Sequence, residues 1–141
     1  MYLRLALGAG FILAVLDRFG MLGLPGEANV SWGNWGNFIS YANHLMPYFN
    51  KNMANFMGSI ATLLETVLGI FLIIGYKTKL AAYSTGILTA LFAISMLLFS
   101  GYRVPFTYSV FSYSAGSFLL ALVPYYRWSV DNVLHDNKDK A

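Results

Sequence analysis

Four charged residues stand inside or at the edge of long apolar stretches: Asp17, Arg18, Glu65 and Arg103. Glu65 is the most exacting of them. It sits within "SIATLLETVLGIFLIIG", residues 59–75, where every close neighbour is apolar, small or a threonine. A carboxylate in such surroundings needs a cation, a strong hydrogen-bond donor or a proton. Arg18 and Arg103 are the available guanidinium groups. Three readings follow. The charges form a structural ion cluster that fixes helix register, they line a functional polar pocket, or Glu65 stays unpaired and protonated. A pocket of this kind suits a small anion clamped by arginine, a quinone head group held by hydrogen bonds, or a proton passing through Glu65.

The stretches that position these groups come next. The chain has 141 residues, 57% hydrophobic and 11% charged. Soluble domains carry about 25% charged residues. With a mean hydropathy of +0.57, the composition points to a membrane. The length suits one domain of about four spans, because each span needs about 20 residues. Apolar runs lie at about 3–24, 57–76, 80–100 and 107–126. The first has one mark of a signal peptide, since Arg4 precedes it, but no small-x-small site follows before "DRFG" and the run is long enough to span. The joints "YKTK" and "GYRVPF" are short and make neighbouring helices antiparallel. An all-α, four-helix membrane bundle is therefore expected.

Helical rise supports a meeting of the charges. Asp17 lies roughly 21 Å above Leu3 on the first run, and Glu65 roughly 16 Å above Tyr76 on the second, at about 1.5 Å per residue. The levels differ by about one turn, within reach of an arginine side chain. Arg18 is the expected partner of Glu65, with Arg103 reaching down from the rim. Asp17 shares the small stripe Ala6, Gly10, Ala14 and should face inward. Arg18 stands about 100° round the helix from it, so the two should not both point to the centre. Parallel stripes run through Gly58, Thr62, Glu65, Gly69; through Ala82, Gly86, Thr89, Ala93; and through Ser109, Ser112, Tyr113, Gly116, Ser117. Small residues let helices approach closely in lipid. Tyr108, Ser109, Ser112 and Tyr113 should lie at the depth of the charges.

The connection 25–55 carries an amphipathic segment. Trp35, Phe38, Ile39, Ala42, Leu45 and Met46 share one face, which predicts a short interfacial helix or a lid. Trp32 and Trp35 would line the mouth of the pocket, and His44 would cover it. Lysine and arginine placement sets the orientation. Arg4, Lys77, Lys79, Arg127, Lys138 and Lys140 fall on one side; Lys51, Arg103 and Arg18 fall on the other. That bias places both termini in the cytoplasm. The tail "DNVLHDNKDK" is expected to be frayed.

Several chemistries are set aside. Cysteine is absent, which removes disulfide and thiolate chemistry from this chain. His44 and His135 lie outside the runs, so no bundle haem is expected, and no metal-spaced pair, P-loop or dinucleotide fingerprint appears. No basic patch suits nucleic acid.

The stretches "RLALGAGFILAVLDRFG", "NVSWGNWGNF", "ATLLETVLGIFLIIGYKTKLAA" and "GYRVPFTYSVFSYSAG" resemble the DoxX family of small bacterial membrane proteins, related to the DoxD subunit of thiosulfate:quinone oxidoreductase. The likeness runs from Arg4 to Leu122, and the block with Glu65, Gly69, Gly75 and the basic turn is its most specific part. The resemblance implies a multi-pass protein of the bacterial inner membrane. It also implies a loose link to quinone- or sulfur-linked oxidoreductases, with quinone as a possible non-covalent cofactor and a membrane or periplasmic protein as partner. On that reading the chain is a non-autonomous redox subunit. Glu65 is its proton acceptor or the group that orients the arginine, and Arg18 and Arg103 clamp an anion. The alternatives are a non-catalytic assembly protein, with or without homo-oligomerisation, and a small-solute or proton transporter.

Overall fold

The computed structural model describes residues 1–133, and they are helical without strands. In chain order the helices are α1 (Tyr2–Arg18), α2 (Trp35–Leu45), α3 (Lys51–Ile74), α4 (Thr78–Phe99), α5 (Val104–Thr107) and α6 (Val110–Leu122). A further helical turn begins at residue 130.

Local chemistry sets the boundaries. α3 starts where the Asn50 side chain accepts from the Met53 amide at 2.9 Å. It stops at Gly75, which takes the left-handed conformation at φ 73° that glycine adopts without a Cβ clash. α2 starts in the same way, with the Asn34 side chain accepting from the Asn37 amide at 2.8 Å. α1 is shorter than its apolar run. It ends at Arg18, and Gly20 at φ 71° turns the chain away, so residues 19–24 leave the helix despite their hydropathy. The run 107–126 is likewise broken. Pro105 opens α5, Ser109 at φ 55° separates it from α6, and Val123 goes extended before Pro124, as a residue preceding proline tends to do.

α3 and α4 are long and apolar enough to cross a membrane, and a third or less of each such stretch is buried. α1, with 17 residues, and α6, with 13, are shorter. α1 packs chiefly on α3, and α4 chiefly on α6. The shared core joins Leu7 and Phe11 with Leu68, Leu72, Ala81, Ala82, Leu120 and Ala121. Large apolar side chains on the other faces point outward, among them Leu63, Ile70, Leu80, Leu91, Leu98 and Leu119.

The small-residue stripes of α3 and α4 are buried throughout, from Gly58 to Gly69 and from Ala82 to Ala93. The expected stripe of α1 is offset. Ala6 is exposed, and the buried line is Arg4, Leu7, Gly8, Phe11, Val15 and Arg18. Gly8, not Gly10, makes the crossing with Gly69, while Gly10 receives the ring of Tyr113. On α6 the buried hydroxyls are Ser114 and Ser117. Ser114 Oγ donates to the Gly86 carbonyl at 2.8 Å and so ties α6 to α4.

The first part of the C-terminal segment is anchored rather than frayed. The Asp131 carboxylate accepts the amides of Lys77 and Thr78, both at 2.7 Å, where α4 begins with four free N–H groups. His135, Lys138 and Lys140 lie outside the described residues.

Candidate functional site

Arg18, at the last turn of α1, is the centre of the site. Its Nη2 lies 2.9 Å from Glu65 Oε1 and 2.7 Å from Oε2. Its Nη1 donates to Thr62 Oγ1 at 2.8 Å. Thr62 spends its own proton on the Gly58 carbonyl, one turn back, and so is left as an acceptor for arginine. The guanidinium lies 4.1 Å from the centroid of the Phe38 ring and 5.3 Å from that of Trp32, within the range of cation–π attraction. Arg18 and Glu65 are buried, and theirs is the one ion pair among the described residues. The expected pairing across α1 and α3 is therefore present.

Asp17 is buried too, but it bonds to the chain itself and does not line the cavity beside the pair. Its Oδ2 accepts the amides of Ser31 and Trp32 at 3.0 and 3.1 Å, and its Oδ1 accepts that of Gly33 at 3.3 Å. The 100° offset thus lets both charges be buried by giving them different partners. Asp17 holds the loop that lays Trp32 over Arg18. Asp17→Ala is expected to free that loop, since hydrogen bonds to a charged group are worth about 1.5–3 kcal/mol each. Hydrogen exchange at the amides of residues 31–33 should quicken while exchange in α3 and α4 holds.

Beside the pair lies a cavity of about 160 Å³, walled by Gly10, Phe11 and Ala14 of α1, Thr89, Phe92 and Met96 of α4, and Val110 and Tyr113 of α6; Trp32 and Tyr108 line it as well. Arg18 and Glu65 line it from the α1–α3 side. The Tyr113 hydroxyl donates to the Leu7 carbonyl and its ring stacks on Phe11 at 5.5 Å, so this tyrosine contributes mainly an aromatic wall. Thr89 Oγ1 likewise bonds back to its own helix, to the Thr85 carbonyl at 2.7 Å. The open hydrogen-bonding capacity is on the ion pair. Arg18 Nε has no acceptor, and Glu65 Oε2 has no aligned donor.

Other expected members fall elsewhere. Arg103 is exposed at the start of α5 and is not in the cavity wall. Ser109 and Ser112 are exposed, because the break at Ser109 sets α6 with Tyr113, Ser114 and Ser117 inward instead. His44 is exposed on the far side of α2, whose inward face is Phe38, Ile39, Ala42 and Leu45. Trp35 stacks on Phe19 at 5.5 Å and donates to Asn55 Oδ1 at 2.9 Å, which makes it a clasp for α2. Phe38, Phe92 and Met96 were not foreseen at the site. Phe38 was legible as part of the buried face of α2; Phe92 and Met96 carry no signal beyond hydrophobicity.

A second cavity, of about 600 Å³, lies at the opposite end, between Ile74 and the segment Tyr125–Val133, and shares no residue with the first. Comparison with protein-family models, curated proteins and solved structures finds no match.

Proposed function

We propose that the chain is a DoxX-like membrane subunit, a four-helix bundle of the bacterial inner membrane with both termini cytoplasmic. α3 and α4 cross as single helices. α1 reaches the far side with the apolar residues 19–24, and α6 does so with α5. The outward apolar faces of α3 and α4 support this, because a soluble monomer rarely exposes contiguous apolar surface beyond a few hundred Å².

The cavity beside Arg18 and Glu65 would then hold the head of a quinone in support of a redox reaction completed by a partner protein. One observation carries this choice of ligand. Glu65 already neutralises Arg18, and the rest of the wall is uncharged, so the site suits a neutral, flat, oxygen-bearing molecule better than thiosulfate or another free anion. Arg18 Nε, which has no acceptor, would donate to a quinone carbonyl, and Glu65 Oε2 would accept the proton of a quinol hydroxyl. Phe11, Phe92 and Tyr113 supply aromatic walls. A bound quinol would supply two electrons to the partner and two protons, of which Glu65 would take one and water at the pocket mouth the other.

The test is extraction of the protein in mild detergent, mass spectrometry of co-purified quinone, and titration with a short-chain quinone followed by tryptophan fluorescence. Glu65→Gln is expected to weaken binding about tenfold, as loss of one charge-assisted hydrogen bond does. Absence of quinone from the preparation, together with no response to titration, would remove this reading. It would leave the assembly protein, which is favoured by a different observation: the Asp17 bonds all serve the chain itself.

A further inference from the structure

The larger cavity lies where the basic residues of the chain gather. Arg4 is buried and donates through Nη2 to the Trp128 carbonyl at 2.6 Å. Its Nε and Nη1 have no acceptor among the described residues, so this cation is hydrogen-bonded by a neutral carbonyl alone and feels the Asp131 carboxylate only through space. Lys77 stands at the edge of the same corner: its backbone amide donates to Asp131, while its ammonium lies 5.7 Å from the Tyr76 ring centroid, outside the wall; Arg127 stands beside Trp128 in the cavity wall. Asp131 is the one acidic residue between Gly75 and Val133, and its two oxygens are occupied by backbone amides. Among the described residues the corner is therefore net positive, with part of the charge buried.

The wall pairs that charge with apolar surface. Ile74, Val130 and Val133 lie on it together with Tyr125, Trp128 and Arg127. Tyrosine and tryptophan favour the membrane interface, and arginine binds phosphate oxygens through its planar fork.

We infer that this corner is a binding site for an anionic phospholipid. Arg127 holds the phosphate, Lys77 adds charge from the adjoining turn, Trp128 and Tyr125 frame the headgroup, and an acyl chain lies along Ile74 and Val130. The buried charge of Arg4, behind Trp128, adds to the potential at the phosphate. The inference rests on the membrane placement proposed above but not on the quinone pocket.

Vesicles of equimolar phosphatidylcholine and phosphatidylglycerol, with the full chain reconstituted, are the probe. Native mass spectrometry after gentle detergent release reads the retained lipid. Phosphatidylglycerol is expected to be retained about fivefold over phosphatidylcholine, the factor that corresponds to one basic residue at an anionic surface. Arg127→Gln should bring the ratio close to one, while Lys51→Gln, at the other end of α3, should leave it unchanged. If Arg127→Gln does not accumulate, Lys77→Gln takes its place with the same expectation. Equal retention of both lipids by the native chain overturns the site, as does a preference untouched by Arg127→Gln or Lys77→Gln. Displacement of the lipid by excess inorganic phosphate also overturns it, in favour of a free-anion site. A chain that fails to float with the vesicles refutes the membrane placement instead, so the two failures are distinct.

Discussion

Glu65→Ala is expected to lower stability by about 3–5 kcal/mol, the range found when one member of a buried ion pair is removed. The cost comes from what remains. Arg18 would keep its burial and its bond to Thr62 but lose the one carboxylate it pairs with among the described residues. Phe38 and Trp32 cover the guanidinium, so it can recover solvation only from the side of the cavity. The thermal midpoint in detergent should fall sharply, and membrane abundance with it. Glu65→Gln keeps the shape and one acceptor and should cost less. A midpoint unchanged in Glu65→Ala would mean that Arg18 has another partner.

Removal of both charges separates the two functional readings. Exchange of a buried pair for apolar residues of similar volume is often neutral or stabilising, so Arg18→Met with Glu65→Leu should restore much of the midpoint. On the quinone reading this folded double variant binds no quinone. On the assembly reading it behaves as the native chain does. Bound quinone at native levels in the double variant would detach the cavity from the ion pair and end the proposed mechanism.

The Arg18–Glu65 pair was legible in the sequence because helical rise alone puts the two at comparable depth, and an apolar run leaves a carboxylate few alternatives. The inward face of α2 was legible from its spacing. The role of Asp17 was not. Its partners are backbone amides 14 to 16 residues on, and no side-chain pattern marks an amide as a ligand. The hydroxyl face of α6 misled for a related reason. A positive φ at Ser109 resets the helix phase, and serine carries no such signal in the way glycine does at Gly75. The apolar residues 19–24 were read as helix from hydropathy, yet the glycines among them decide the backbone. Hydropathy reports where a segment partitions, not the conformation it takes.

The closest backbone approach of α1 and α3 yields the second large effect. A Cβ on Gly8 would stand 2.7 Å from Ile73 Cγ1, 2.9 Å from the Gly69 carbonyl oxygen and 3.2 Å from the Ile73 amide nitrogen. Two of those three atoms are backbone and cannot rotate away. Gly8→Val must therefore drive the helices apart, and in lipid, where close packing rather than a hydrophobic effect joins helices, the contact that holds Arg18 against Glu65 goes with it. Gly69→Ala is gentler, because its Cβ would first meet Ile12 Cδ1 at 3.0 Å, the far end of a flexible side chain, with the Gly8 carbonyl at 3.2 Å. Gly36 is the control: the nearest atom to its Cβ is the Asn34 side-chain oxygen at 3.4 Å, and alanine there is expected to be neutral or to add up to about 1 kcal/mol through helix propensity. The expected order of thermal midpoints is Gly36→Ala at or above the native chain, then Gly69→Ala, then Gly8→Ala, with Gly8→Val lowest and poorly accumulated. Overpacking of this kind costs about 1–3 kcal/mol for the smaller change and more for the larger. Reversal of Gly8 and Gly69 in that order would place the tightest contact elsewhere and, with it, the register on which the ion pair depends.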